Sequence, residues 1–146
     1  MSDQSCVERV KENLFSRLED LRILWDLYCC DPEANDENLG NMYEYGLSFD
    51  YVAPETFQDQ EEGYFRYQLS WGGPSDEFRI YADKISGWRW SIYKIEYWLL
   101  DWFDGAKSYL NKKDEDLIKE IFQSFFVDSG CADEQYNQSI QEEQED

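Results

Sequence analysis

Two pairs of carboxylates, Asp76 with Glu77 and Asp101 with Asp104, sit beside turn-forming residues, where catalytic groups are often carried. Paired carboxylates do two kinds of chemistry. They divide the roles of general acid and base, or together they ligate a hard divalent cation through oxygen. Aspartates at turns also satisfy nearby backbone donors, and that ordinary use competes with the chemical one. The chain has no histidine, which removes Ser-His and Cys-His nucleophile pairs and the usual zinc ligand sets. Gly72-Gly73-Pro74 is no phosphate loop, because it lacks the lysine and the helix that must follow. The residues therefore argue against an enzyme and imply no cofactor or metal. A small carboxylate or metal-dependent enzyme is the third of three readings.

Charge is the stronger signal. The 146 residues hold 33 Asp and Glu against 13 Lys and Arg, a formal charge of −20. Duplex DNA carries one charge per roughly 1.7 Å, so the same charge occupies about 34 Å of helix. A compact chain of this length has a radius of gyration of about 15 Å, so its charge per unit length rivals DNA if one face carries most of it. The distribution favours such a face. No Lys or Arg occurs between Arg22 and Arg66, an interval with eleven carboxylates: Asp26, Asp31, Glu33, Asp36, Glu37, Glu44, Asp50, Glu55, Asp59, Glu61 and Glu62. Such a run is either a solvated face or a surface that engages a basic groove. Direct binding to nucleic acid or to an anionic membrane is disfavoured, since both need a basic footprint.

Aromatics make up 18% of the chain. Trp71, Trp88, Trp90, Trp98 and Trp102 could stack bases or sugars, but the net charge repels nucleic acid. Core packing accounts for most of these rings, and Trp71 and Trp98 are the candidates for interface anchors. The four cysteines, Cys6, Cys29, Cys30 and Cys131, form no CxxC pair and suit a reducing cytosol with free thiols. The N-terminus is polar, and no apolar run reaches membrane length.

The elements that must position these residues follow from periodicity. Val7, Val10, Leu14, Leu18, Leu21, Leu24 or Trp25, and Tyr28 recur in steps of three and four, predicting a helix from about Ser2 to Cys30 that Asp31-Pro32 ends. Alternation predicts strands over Met42 to Val52, Tyr64 to Trp71, Glu77 to Ala82 and Trp88 to Leu100, with Gly72 to Asp76 as a turn. Asp101 to Gly105 reads as a corner. A last helix starts near Asn111 or Asp114 and runs to Val127 on Leu117, Ile118, Ile121, Phe122 and Phe125. The expectation is one α+β domain over residues 1–127, an antiparallel sheet of about four strands with an N-terminal and a C-terminal helix packed on it. Residues 128–146, free of Lys and Arg, read as a flexible acidic tail.

At Tyr45-Gly-Leu-Ser-Phe-Asp-Tyr-Val52, at Tyr64-Phe-Arg-Tyr-Gln-Leu-Ser-Trp-Gly-Gly-Pro-Ser-Asp-Glu-Phe-Arg79 and at Ile95-Glu-Tyr-Trp-Leu-Leu-Asp-Trp-Phe-Asp-Gly-Ala106, the chain resembles a family of small acidic proteins of bacterial plasmids and other mobile elements. The resemblance implies the cytoplasm of a bacterial host and carries over no catalytic residue. In composition alone the chain is also similar to phage and plasmid anti-restriction and anti-CRISPR inhibitors that imitate DNA. The leading expectation is a non-enzymatic inhibitor that blocks the basic nucleic-acid-binding surface of a host defence nuclease. Its contact residues would be Asp31, Glu33, Asp36, Glu37, Glu44, Asp50, Glu55, Asp59, Glu61, Glu62, Asp76 and Glu77, with Trp71 and Trp98 as anchors. The second reading is a protein–protein interaction module whose acidity is incidental. Both are compatible with a monomer or a dimer.

Overall fold

A computed structural model describes residues 5–72, 74–86, 89–101 and 104–144, with side chains as far as Ile140. Helix α1, Cys6–Cys30, opens on Ser5, whose hydroxyl accepts from the Glu8 amide. Asp104 supplies a second cap, its carboxylate accepting from the Cys6 amide at 2.8 Å. The helix ends at Asp31, pushed to extended backbone by Pro32. Its buried stripe is Cys6, Val10, Leu14, Leu18, Leu21, Leu24 and Trp25. Val7, expected on that stripe, is exposed; Cys6 takes its place, one residue earlier on the same period.

A single turn, α2 (Met42–Tyr45), capped by Asn41, replaces the start of the first expected strand. The sheet follows as β1 (Ser48–Val52), β2 (Tyr64–Ser70), β3 (Pro74–Ser86), β4 (Arg89–Asp101) and β5 (Asp104–Tyr109). Its order is that of the sequence and every pairing is antiparallel. The α+β class is as expected, but the sheet has five strands where four were read. Strand β5 escaped because Asp-Gly-Ala-Lys-Ser-Tyr lacks an alternating apolar signature; Ala106 is its buried apolar residue. Strand β3 also begins earlier than expected. Pro74 is tolerated as a first strand residue, and the following polar residues pair with Leu99 and Leu100 of β4.

One sheet face carries Phe65, Tyr67, Leu69, Phe78, Ile80, Ile95, Tyr97 and Leu99, and this face forms the core with the helices. Helix α1 lies against β4 and β5. Helix α3 (Lys112–Ile121) passes into a π-helical stretch, Phe122–Val127, that seats Phe122 and Phe126 in the core. Residues 128–146, expected as a flexible tail, include helix α4 (Cys131–Gln144), which packs on β1. Ala132 is fully buried, Tyr136 meets Tyr51 and Trp90 at 5.0 and 5.1 Å between ring centroids, and Asp133 accepts from the Trp90 indole. The tail reading weighed charge and missed these few contacts. Among the described residues, no helix is long and apolar enough to cross a membrane.

The face without helices is covered by its own side chains. Val52, Tyr64 and Tyr81 form a small apolar cluster there. Around it stand the ion pairs Asp50–Arg66, Glu77–Arg79 and Glu96–Lys107. Arg79 lies over Trp98 at 4.1 Å and Tyr64 at 4.9 Å, and Lys94 over Tyr81 at 4.2 Å. Glu77 and Glu96 are buried beneath this layer.

Candidate functional site

All four carboxylates of the two sequence pairs are held by internal donors. Asp76 and Glu77 lie within β3, not in a turn, and successive strand residues face opposite ways. Asp76 enters the helix-covered core at 2% exposure. It receives a two-pronged contact from the Arg17 guanidinium at 2.6 and 2.9 Å, the Tyr97 hydroxyl at 2.5 Å and the Ser70 hydroxyl. Glu77 is bound to Arg79 on the other face. Both were expected on a partner-binding surface, and their burial corrects that expectation: a carboxylate saturated by internal donors cannot also meet a partner. Asp101 pairs with Arg9 at 2.7 Å, while Asp104 caps α1. Among the described residues, no group of three or more potential metal ligands comes together.

The remaining predicted acids are at the surface, in two groups. Asp31, Glu33, Asp36, Glu37 and Glu44 surround α2 at one end of β1; Glu55, Asp59, Glu61 and Glu62 occupy the loop at its other end. The five residues of β1 span about 17 Å, and within them Asp50 is paired with Arg66. The loops are ordered by their own polar groups. Asp36 accepts from the amides of Asn38 and Leu39, and Asp31 from that of Glu33. Gln60 pins the second loop, accepting from the Phe57 amide and donating to the carbonyls of Ala53 and Glu62. Glu55 and Asp59 hold left-handed backbone, with φ of 64° and 61°.

Cations are disposed of differently. Among the described residues, eight of the thirteen Lys and Arg, each with its own acidic partner, form ion pairs: Arg9, Arg17, Arg22, Arg66, Arg79, Lys84, Lys94 and Lys107. Setting those eight pairs aside leaves twenty-five carboxylates against five cations. Within the acidic interval only Asp50 and Glu62 of the predicted contact residues are paired.

The two tryptophans differ. Trp71 follows β2 and is 78% exposed. Trp98 is half-buried, stacked under Arg79 with Lys107 at 5.7 Å, and donates its indole proton to Glu96. It belongs to the layer that covers the sheet. Trp88 and Trp102 lie outside the described residues.

Internal pairing shapes the titration. Burial opposes the charge of Glu96, but donation from Trp98, Lys107 and Tyr81 outweighs it and holds the carboxyl below its usual range. Lys94, then Tyr93, do the same for Glu62. Tyrosines move the other way. Burial pushes Tyr45 up to about 12, with Arg17 opposing and Asp20 assisting. Burial and donation to Glu62 push Tyr93 up to about 12. Burial also raises Tyr64, Tyr67, Tyr81 and Tyr97. A phenol raised in the folded state stabilises the fold fully below the unfolded value near 10, and that contribution disappears as pH climbs through the folded value. Burial raises the Cys6, Cys29 and Cys131 thiols as well, so urea unfolding between pH 7 and 11.5 should show stability falling from about pH 9 and more steeply above about pH 10. A flat profile to pH 11.5 would contradict the burial of these phenols.

Sequence reasoning passed over an aromatic cleft. Tyr28, Tyr43 and Phe125 pack with centroids 5.2 to 5.9 Å apart, and Phe125 leans on Phe126 at 5.1 Å. Together with Asp128 and Cys131 they bound a cleft of about 410 Å³, and Tyr43, Phe125 and Phe126 also wall a pocket of about 150 Å³ beside Phe49 and Tyr67. Tyr43 and Leu47, 62% and 60% exposed, stand at its rim. Of the adjacent rings Phe125 and Phe126, the second is buried in the core and the first stays partly exposed at the cleft. No family model, curated protein or solved structure matches this chain.

Proposed function

We propose that the protein is a non-enzymatic acidic inhibitor of mobile-element origin, which imitates DNA and occupies the basic nucleic-acid-binding surface of a host defence nuclease. The observation that carries this reading is the sequestration of positive charge. Most cations are held in internal ion pairs, so the two loops flanking β1 present carboxylates without local compensation. Eight predicted contact acids there, Asp31, Glu33, Asp36, Glu37, Glu44, Glu55, Asp59 and Glu61, form no ion pair. The loops are pinned by internal hydrogen bonds, which lowers the ordering cost of binding. The setting in a bacterial host comes from the sequence resemblance.

The test is competition. Binding to a purified defence nuclease should be displaced by duplex DNA and weaken steeply as salt rises. Replacing Glu33, Glu37, Glu44 and Glu61 together by lysine should weaken it by at least about tenfold while leaving the melting curve in place. Binding that ignores both salt and DNA would reject mimicry in favour of a plain interaction module.

A further inference from the structure

We infer that the cavity between the loop of residues 53–63 and the helix-free sheet face binds a free aromatic α-amino acid, its carboxylate on Arg79 and Tyr64 and its ammonium on Asp59 and Glu61. The cavity measures about 450 Å³, within the range of small-ligand sites. Its floor is the outer sheet face and its wall is the loop that Gln60 pins. Two donors there have nothing to bond. Arg79 gives its Nε proton to Glu77 at 2.8 Å and lies over Trp98 at 4.1 Å, which fixes the guanidinium. Its two terminal nitrogens have no partner among the described residues. Tyr64 is 1% exposed, and its hydroxyl bonds to no described residue. Among the described residues, the unpaired polar atoms sealed from solvent are Arg9 Nε, Trp25 Nε1 and Tyr67 Oη. The Tyr64 oxygen and the Arg79 terminal nitrogens are therefore open, and both residues line this cavity. Polar groups this deeply set and still unpaired call for an explanation.

The charges of the cavity select a zwitterion. A guanidinium edge and a phenol are donors suited to one carboxylate. Burial raises the Tyr64 phenol, so it keeps its proton at neutral pH and can donate. On the loop, Asp59 and Glu61 line the same cavity without an ion pair among the described residues, whereas Glu62 is taken by Lys94. A simple anion would meet these acids, and a simple cation would meet Arg79; either juxtaposition of like charges is costly. A molecule that carries both a carboxylate and an ammonium satisfies both sets. The apolar walls decide its side chain. Phe57, 51% exposed, and Trp98 bring aromatic surface to the cavity, against which an aromatic side chain packs. This site does not rest on the inhibitor reading, although both use Asp59 and Glu61.

Four small molecules test this on the whole chain by NMR titration at about pH 6, where α-amino groups are charged: L-phenylalanine, N-acetyl-L-phenylalanine, L-phenylalaninamide and glycine. Phenylalanine should bind at least about tenfold more tightly than the acetylated acid, which lacks the ammonium, and than the amide, which lacks the carboxylate. The second comparison is the sharper one, because the overall charge of −20 favours the cationic amide. Glycine, with both charges and no ring, should also bind at least about tenfold more weakly than phenylalanine. Tyr64→Phe should weaken phenylalanine binding about three- to tenfold and leave the melting temperature in place, since it removes an unpaired group. Asp59→Asn with Glu61→Gln should weaken phenylalanine and bring the acetylated acid level with it. Nuclear Overhauser contacts should connect the phenylalanine ring with Phe57 and Trp98. Binding by none of the four, amide or glycine binding as tight as phenylalanine, or phenylalanine binding unchanged by Tyr64→Phe or by the paired loop substitution would overturn the inference. None of these results bears on mimicry, which displacement by DNA decides.

Discussion

Replacing Asp76 by alanine is expected to lower the free energy of unfolding by about 3–5 kcal/mol, the cost of breaking a buried ion pair from one side. The carboxylate is 3% exposed at its side chain and Arg17 is 24% exposed. Removing it strands the guanidinium, the Tyr97 hydroxyl and the Ser70 hydroxyl together, all of which now point at one anion. Arg17 also donates to the Tyr45 hydroxyl, which in turn donates to Asp20, so the disturbance reaches α2. Asp76→Asn should cost less, because an amide oxygen still accepts from the hydroxyls. Removing both partners, as Arg17→Met with Asp76→Leu, should restore part of the loss, because no charge is left unpaired. Equilibrium urea titration measures each variant. A loss under about 1 kcal/mol for Asp76→Ala would mean that the centre is wet rather than buried.

Ending the chain at Gly130 should cost about 3–5 kcal/mol, through lost aromatic pairs and an indole left without its acceptor. Helix α4 brings Tyr136 onto Tyr51 and Trp90, and Asp133 onto the Trp90 indole and near Lys84 at 3.8 Å. Without it, Trp90 loses its cover and β1 loses the helix packed on it. The shortened chain should therefore unfold at lower urea concentration and show red-shifted tryptophan emission before unfolding. An unchanged midpoint would show that α4 adds nothing to the fold.

The elements with strong periodicity were legible in the sequence. Helix α1 and strands β2 and β4 followed their apolar spacing almost to the residue. What was hidden depends on contacts between distant residues. Strand β5 exists because its backbone completes the β4 edge, and Ala106 alone gives little apolar signal. Helix α4 is dense in polar residues, and its anchoring falls to Ala132, Asp133 and Tyr136, too few to outweigh charge in a linear reading. The site divides likewise. The acidic interval needed only a count. That Asp76 would be drawn into the core could not be seen, because Arg17 lies 59 residues from it in the chain. Trp98 was read as an anchor for the same reason: the cations that cover it come from β3 and β5.

The confinement of positive charge to internal pairs has an evolutionary consequence. The ion pairs that tie α1 to the rest of the fold use Asp76, Asp101 and Asp114, none of which belongs to the acidic loops. Drift within residues 31–44 and 53–61 therefore rewrites the outward field without touching those ties. Glu62, bound to Lys94, marks where that freedom stops. A lineage built this way can change the charge it presents at its surface while its scaffold stays under separate selection.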